Sequence, residues 1–169
     1  GDLIDQEAQR RGSSIYMPDT KIPMLPPQLA EGLCSLKAGS LRPAITVSAL
    51  LSFNADVLDY EVFPSIINVS SQMTYYDANV ATEENPELQM LHHLAKQFRD
   101  KRLASGAVQI SVPEMHVWMD RDGEVRVSRV NRESPGRMLV SELMIMANWL
   151  MARFIKDHGE PAVFRSQPK

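Results

Sequence analysis

The residues with the most chemical potential fall in three places. Glu142 lies with Ser141 and Asn148 inside an otherwise apolar run from 138 to 156. At about 100° per residue, Ser141 and Asn148 share one helical face, and Glu142 points about 100° away from Ser141. A carboxylate in such a run is costly unless it is paired or hydrogen-bonded. It therefore either walls a polar site, near a metal, a water or a sugar hydroxyl, or closes an ion pair with one of the arginines. Tyr75 and Tyr76, beside Asp77 and Asn79, follow a segment rich in β-branched residues. A tyrosine ring stacks on a base and its phenol hydrogen-bonds, a combination suited to single-stranded nucleic acid. Core packing of one of the two rings is the plainer alternative. Tyr16, ahead of a proline-punctuated loop, carries the same two readings.

Other candidates are weaker. His92, His93, His116 and His158 show no HxxxH or HExxH spacing, so a zinc signal is absent. His116 alternates with apolar residues and reads as partly buried. Asp120-Arg121-Asp122-Gly123 has the start of a calcium loop, but Asn131 stands where the bidentate glutamate belongs. A hairpin turn is the better reading. No GxGxxG, Walker A or GxSxG pattern occurs. Arg121, Arg126, Arg129, Arg132 and Arg137 are interrupted by Asp122, Glu124 and Glu133, which suits a solvated face.

The elements that must position these residues follow from periodicity. Residues 2–11 form a short helix stopped by Gly12, and 13–17 are extended. Pro23, Pro26 and Pro27 exclude a continuous helix, while Ile22, Met24 and Leu25 give the loop apolar groups to pack. A short helix over 27–36 follows. Residues 44–75 read as a strand meander, with Ile45, Val47, Ala49 and Leu51 alternating and a turn at 54–56. Residues 85–104 form an amphipathic helix with Leu88, Leu91, Leu94, Ala95, Phe98 and Arg102 on one stripe. Strands are expected at 107–112 and 114–120, then at 125–130 beyond an Asp122-Gly123 turn. The run 138–156 is apolar on nearly all sides, which predicts a buried helix. Residues 162–165 read as the start of a strand. The fold class is α/β (α+β), with a mixed, largely antiparallel sheet and a buried central helix.

Composition sets the outer bounds. The 169 residues carry 18 Lys+Arg against 21 Asp+Glu, a net charge of −3, which excludes a simple polybasic nucleic-acid arm. A hydrophobic fraction of 44% suits one globular domain with a sizeable core. No apolar run is expected to reach the roughly 20 residues that span a membrane. The opening Gly1-Asp2-Leu3-Ile4-Asp5 is acidic, so no signal peptide is expected. Cys34 is the only cysteine, so an internal disulfide is impossible and a reducing, cytoplasmic setting is expected.

Read as a string, the sequence goes further. Arg11-Gly12-Ser13-Ser14-Ile15-Tyr16-Met17-Pro18-Asp19, Ile22-Pro23-Met24-Leu25-Pro26, Leu33-Cys34-Ser35-Leu36 and Arg42-Pro43 occur in that order. Together they resemble the catalytic (RNB) domain of the ribonuclease II/ribonuclease R exoribonucleases. Residues 67–75 resemble that family's segment ending in Leu-Thr-Tyr. Leu139-Val140-Ser141-Glu142-Leu143-Met144-Ile145-Met146-Ala147-Asn148 resembles its LVEEFMILAN helix.

The resemblance spans nearly the whole chain and implies a partial RNB catalytic domain over residues 1–169. It implies processive 3′-to-5′ hydrolysis of single-stranded RNA to nucleoside monophosphates by two-metal magnesium chemistry. No DNA or membrane partner is implied. The family's aspartate cluster and its TSPIRRY-like arginine motif belong to stretches upstream and downstream of those matched. Neither occurs in this sequence, so no metal ligand is assigned and the isolated chain is expected to be inactive. The resemblance assigns Tyr16 to stacking near the RNA 3′ end. It puts Tyr75 beside the scissile phosphate, where it helps fix end-product length, and Glu142 by the active centre. Two departures stand out: Ser141 replaces the first glutamate of the pair, and Ile110 stands where some members carry a second stacking phenylalanine. The base clamp is then weaker or built differently. The alternative is a non-catalytic RNB-like module that binds RNA or protein.

Overall fold

The computed structural model describes residues 1–110 and 112–165. The chain forms two compact units, one of Gly1–Arg42, Ile67–Gln72 and Val112–Asn131, the other of Pro43–Ile66, Met73–Ser111 and Arg132–Lys169.

The first unit opens with helix α1, Leu3–Arg11. Asp2 caps it by accepting the Asp5 N–H at 2.8 Å, and Gly12 ends it at φ 69°, a left-handed conformation that favours glycine. Strands β1 (Ile15–Tyr16) and β2 (Lys21–Ile22) then pair antiparallel, with Tyr16 opposite Lys21. The short helix expected over 27–36 is instead a π-helical segment, Gln28–Leu33, closed by the Cys34 N–H donating to the Leu29 carbonyl at 2.9 Å. It starts close to the expected place, where the Leu29 and Ala30 N–H groups donate to the Pro26 carbonyl, and it ends early because the chain turns at Cys34 and Ser35. Among the described residues of this unit, none is buried.

Most of strands β3 (Leu41–Leu51) and β4 (Val57–Asn68) belongs to the second unit, where they pair as a hairpin. The Ser52 N–H donates to the Asp56 carbonyl at 2.9 Å, and Ala55 adopts φ 59° while only 3% exposed. After β4 the meander expected up to residue 75 does not continue. Instead helix α2 spans Tyr75–Glu84. The missed signal is a capping box: the Thr74 hydroxyl accepts the Asp77 N–H, and the Asp77 carboxylate accepts the Thr74 N–H at 3.1 Å. Helix α3, Pro86–Ala104, starts at Asn85, whose side chain accepts the N–H groups of Glu87 and Leu88.

Residues 107–110 form no strand, which corrects the expectation for 107–112; Ser111 lies outside the described residues. The hairpin beyond them is as expected. β5 (Glu114–Met119) pairs antiparallel with β6 (Val125–Val130), and Gly123 takes φ 79° in the turn. This hairpin belongs to the first unit. No strand begins at 162–165.

Helix α4, Pro135–Asp157, packs against α2 and α3. It is not buried all round. Met138, Glu142, Met146 and Leu150 are buried, an i, i+4 stripe, as is Gly136 in the first turn, while Met144 and Trp149 are 60% and 43% exposed. Within its unit the helix has neighbours along that stripe, so the remaining apolar positions stay open. The core is Ala55, Phe98, Met146 and Leu150, packed with Val47, Leu51, Val57 and Leu94 from the hairpin and α3. By length and composition alone α4 is also apolar enough to cross a bilayer. That corrects the expectation that no run reaches this length.

The architecture is thus mixed helix and strand, with three separate two-stranded sheets among the described residues rather than one. The α+β class holds, and the sheets are small.

Candidate functional site

Glu142 sits in the buried stripe of α4 and is 4% exposed. Arg102, in the last turn of α3, meets it as a fork: Nε donates to Oε2 at 3.0 Å and Nη2 donates to Oε1 at 2.7 Å. Of the two readings the sequence left open for Glu142, the ion pair is present. A bidentate guanidinium–carboxylate pair fixes both groups in plane and offsets part of the desolvation of a buried charge. Arg102 is the partner that the sequence reading did not single out. Its signal was an arginine on the apolar stripe of α3, four residues after Phe98.

The pair borders a cavity of about 290 Å³, lined also by Gln109, Ile110, Glu133, Ser141 and Ile145. Ser141 is exposed on the same face of α4 as Asn148, as the helical spacing required. Glu133 is held by Arg99 at 2.7 Å and by the Gln109 amide. Both carboxylates on the cavity are therefore engaged by cationic or amide donors.

Tyr75 is the first residue of α2, set there by the Thr74 cap, and is 42% exposed. The Arg137 guanidinium lies over that ring, 4.1 Å from the centroid. The contact depends on a close approach of α4 to α2. The Gly136 N–H donates to Asn79 Oδ1 at 2.8 Å. A Cβ on Gly136 would lie 3.1 Å from Ala78 Cβ and 3.2 Å from Asn79 Oδ1, tighter than ordinary packing. Tyr76 points to solvent and is 76% exposed. Arg137 and Glu142 stand five positions apart on α4, about 7.5 Å along its axis. The structure thus sets Tyr75 and Glu142 on two helices that pack together. Tyr16 belongs to the first unit, where it is 77% exposed on β1.

Two histidines differ in setting. His116 is exposed and stacks on Trp118, with centroids 5.1 Å apart, rather than being partly buried. Its strand shows alternation, but the unit offers it no core. His93 packs against the Phe53 ring at 4.6 Å, and its Nε2 is buried without a hydrogen-bond partner.

Among the described residues, no group of three His, Cys, Asp or Glu side chains is placed to hold a metal. Magnesium takes a nearly octahedral shell of oxygen ligands. Glu133 and Glu142 are the two carboxylates on the cavity, and each is spoken for by donors. The residues described here do not fit a magnesium site.

Comparison with known proteins adds the decisive observation: the RNB domain family matches residues 1–169. The chain belongs to the RNB domain family of ribonucleases. It is 34% identical to an uncharacterised ribonuclease of Synechocystis, covering 99% of this chain and 26% of that protein. It is 32% identical to ribonuclease R of Thermotoga maritima, over 98% of this chain and 25% of the relative. The chain therefore spans about a quarter of the length of these curated relatives. Among solved structures it is similar to Mycoplasma genitalium RNase R in complex with double-stranded RNA, with TM-score 0.82 and 21% identity. That match covers 94% of this chain and 30% of the other. It is also similar in fold to yeast Ssd1, a pseudonuclease, with TM-score 0.68 and 18% identity over 92% of this chain and 20% of that one.

Proposed function

We propose that this chain forms part of a 3′-to-5′ exoribonuclease that hydrolyses single-stranded RNA to nucleoside monophosphates. The observation that carries the reading is the family match over residues 1–169, with an exposed tyrosine and a buried glutamate set on two packed helices. In this reading Tyr75 stacks on a base near the scissile phosphate and limits how short the product becomes. Tyr16 stacks near the RNA 3′ end. Glu142, held in plane by Arg102, is a polar support of the active centre. Magnesium would supply activation of water in the whole enzyme. The described residues do not fit its site, so no step is assigned to it here. A cytoplasmic setting belongs to the same reading.

One observation favours a second reading, a non-catalytic module that binds RNA or protein. The fold is shared with a pseudonuclease, and the two cavity carboxylates are already engaged.

The test uses the chain of residues 1–169 with Mn²⁺ and with 5′-labelled single-stranded RNA in Mg²⁺. Weak Mn²⁺ binding and uncut RNA are expected. Stoichiometric Mn²⁺ binding, or a shrinking ladder abolished by Glu142→Ala, would show that the chain holds a working metal site by itself.

A further inference from the structure

Arg137 has a setting that nothing in the proposed roles uses. Its guanidinium lies 4.1 Å over the Tyr75 ring. That position is fixed by the close approach at Gly136 and by the Gly136–Asn79 hydrogen bond. Arg10, Arg11, Arg99, Arg102 and Arg126 each meet a carboxylate. Arg137 meets none among the described residues. A guanidinium held over an aromatic ring keeps its five N–H donors in its own plane, directed outward at its edge. Such an edge matches the oxygens of a phosphate, with two parallel hydrogen bonds. Stacking also lowers the entropy lost on binding, because the side chain is already held.

We propose that Arg137 is a phosphate-binding residue for single-stranded RNA, paired with Tyr75 as one unit. The guanidinium lies over the Tyr75 ring, and Tyr75 keeps 42% of its surface exposed, where a base can approach it. A nucleotide then meets both groups at once, its base on the ring and its phosphate on the edge of the guanidinium. The assignment rests on the reading of Tyr75 as an RNA-stacking residue and adds the group that fixes the register of the backbone beside it.

The experiment measures binding of the full-length protein to a labelled single-stranded oligoadenylate in EDTA, so that no RNA is consumed, across a series of salt concentrations. For single strands, each phosphate contact contributes about 0.7 to the slope of log affinity against log salt. Arg137→Met is expected to lower the steepness by about 0.7 and to weaken binding about tenfold at low salt. Arg137→Lys keeps the charge and is expected to retain the wild-type slope, with affinity reduced a few-fold because the stacked plane is lost. A side chain that only propped up α2 would leave the slope unchanged in both variants. Wild-type affinity with an unchanged slope in Arg137→Met overturns the assignment alone. An Arg137→Lys slope as low as that of Arg137→Met overturns the phosphate contact. No RNA affinity in the wild-type protein overturns both the assignment and the reading of Tyr75 beneath it.

Discussion

At the scale of single residues, the most consequential contact is the Arg102–Glu142 fork. Glu142 is nearly sealed, while the Arg102 side chain keeps 28% of its exposure. The two halves of the pair are therefore unequal. Removing Arg102 strands a carboxylate away from water, whereas removing Glu142 leaves a guanidinium that can still reach solvent. Arg102→Met is expected to destabilise the fold by about 3–5 kcal/mol, the range for breaking a buried pair from one side. Glu142→Gln should cost clearly less, and the double change Arg102→Met with Glu142→Met should recover most of the loss. Urea unfolding of the three variants measures this. Equal losses in the two single variants would contradict the asymmetry. The sequence left Glu142 two readings, the wall of a polar site or an ion pair, because a carboxylate in an apolar run must be paired or hydrogen-bonded. It did not say which arginine, since only the packing of α3 on α4 chooses among them.

At the scale of elements, what was legible depended on where each signal was local. α1, α3 and the β5–β6 hairpin were readable because Gly12, Pro86 and Asp122-Gly123 mark their limits within a few residues. α2 was hidden because its neighbour β4 is strongly β-patterned and its own start is a Thr74–Asp77 cap rather than an apolar stripe. The error moved Tyr75 from the end of a strand to the first turn of a helix, where Arg137 reaches it. α4 was read as buried all round because its composition is apolar. Burial, however, depends on which neighbours arrive, and α2 and α3 cover one stripe. The contact of α4 with α2 passes through Gly136. Gly136→Ala gains helix propensity of about 1 kcal/mol but forces Ala78 and Asn79 to give way, and overpacking of this kind costs about 1–3 kcal/mol. The expected outcome is a net loss of stability with a weaker Arg137–Tyr75 stack, measured by thermal unfolding and by the chemical shifts of the Tyr75 ring. A stabilised variant with unchanged ring shifts would show that the approach of the two helices is not tight.

At the scale of the whole molecule, every buried residue described lies in the second unit, which holds the core together with Glu142, Tyr75 and Arg137. The first unit is built from local turns, caps and short hairpins, and carries Tyr16. Its β5–β6 hairpin leaves Met115, Val117, Val125 and Val127 exposed. Membership of the RNB family was legible from the string of motifs. The engagement of both cavity carboxylates was not, because it depends on side chains far apart in sequence. The central proposal is that Tyr75 faces RNA in an enzyme that shortens its substrate from the 3′ end. The most direct measurement is a time course of the full-length protein with 5′-labelled single-stranded RNA and Mg²⁺, resolved on a denaturing gel beside Tyr75→Ala. The account predicts a ladder that shortens steadily in the wild-type protein and stops at a longer final product in the variant. Uncut RNA, internal cleavage, or the same final product in both proteins would contradict it.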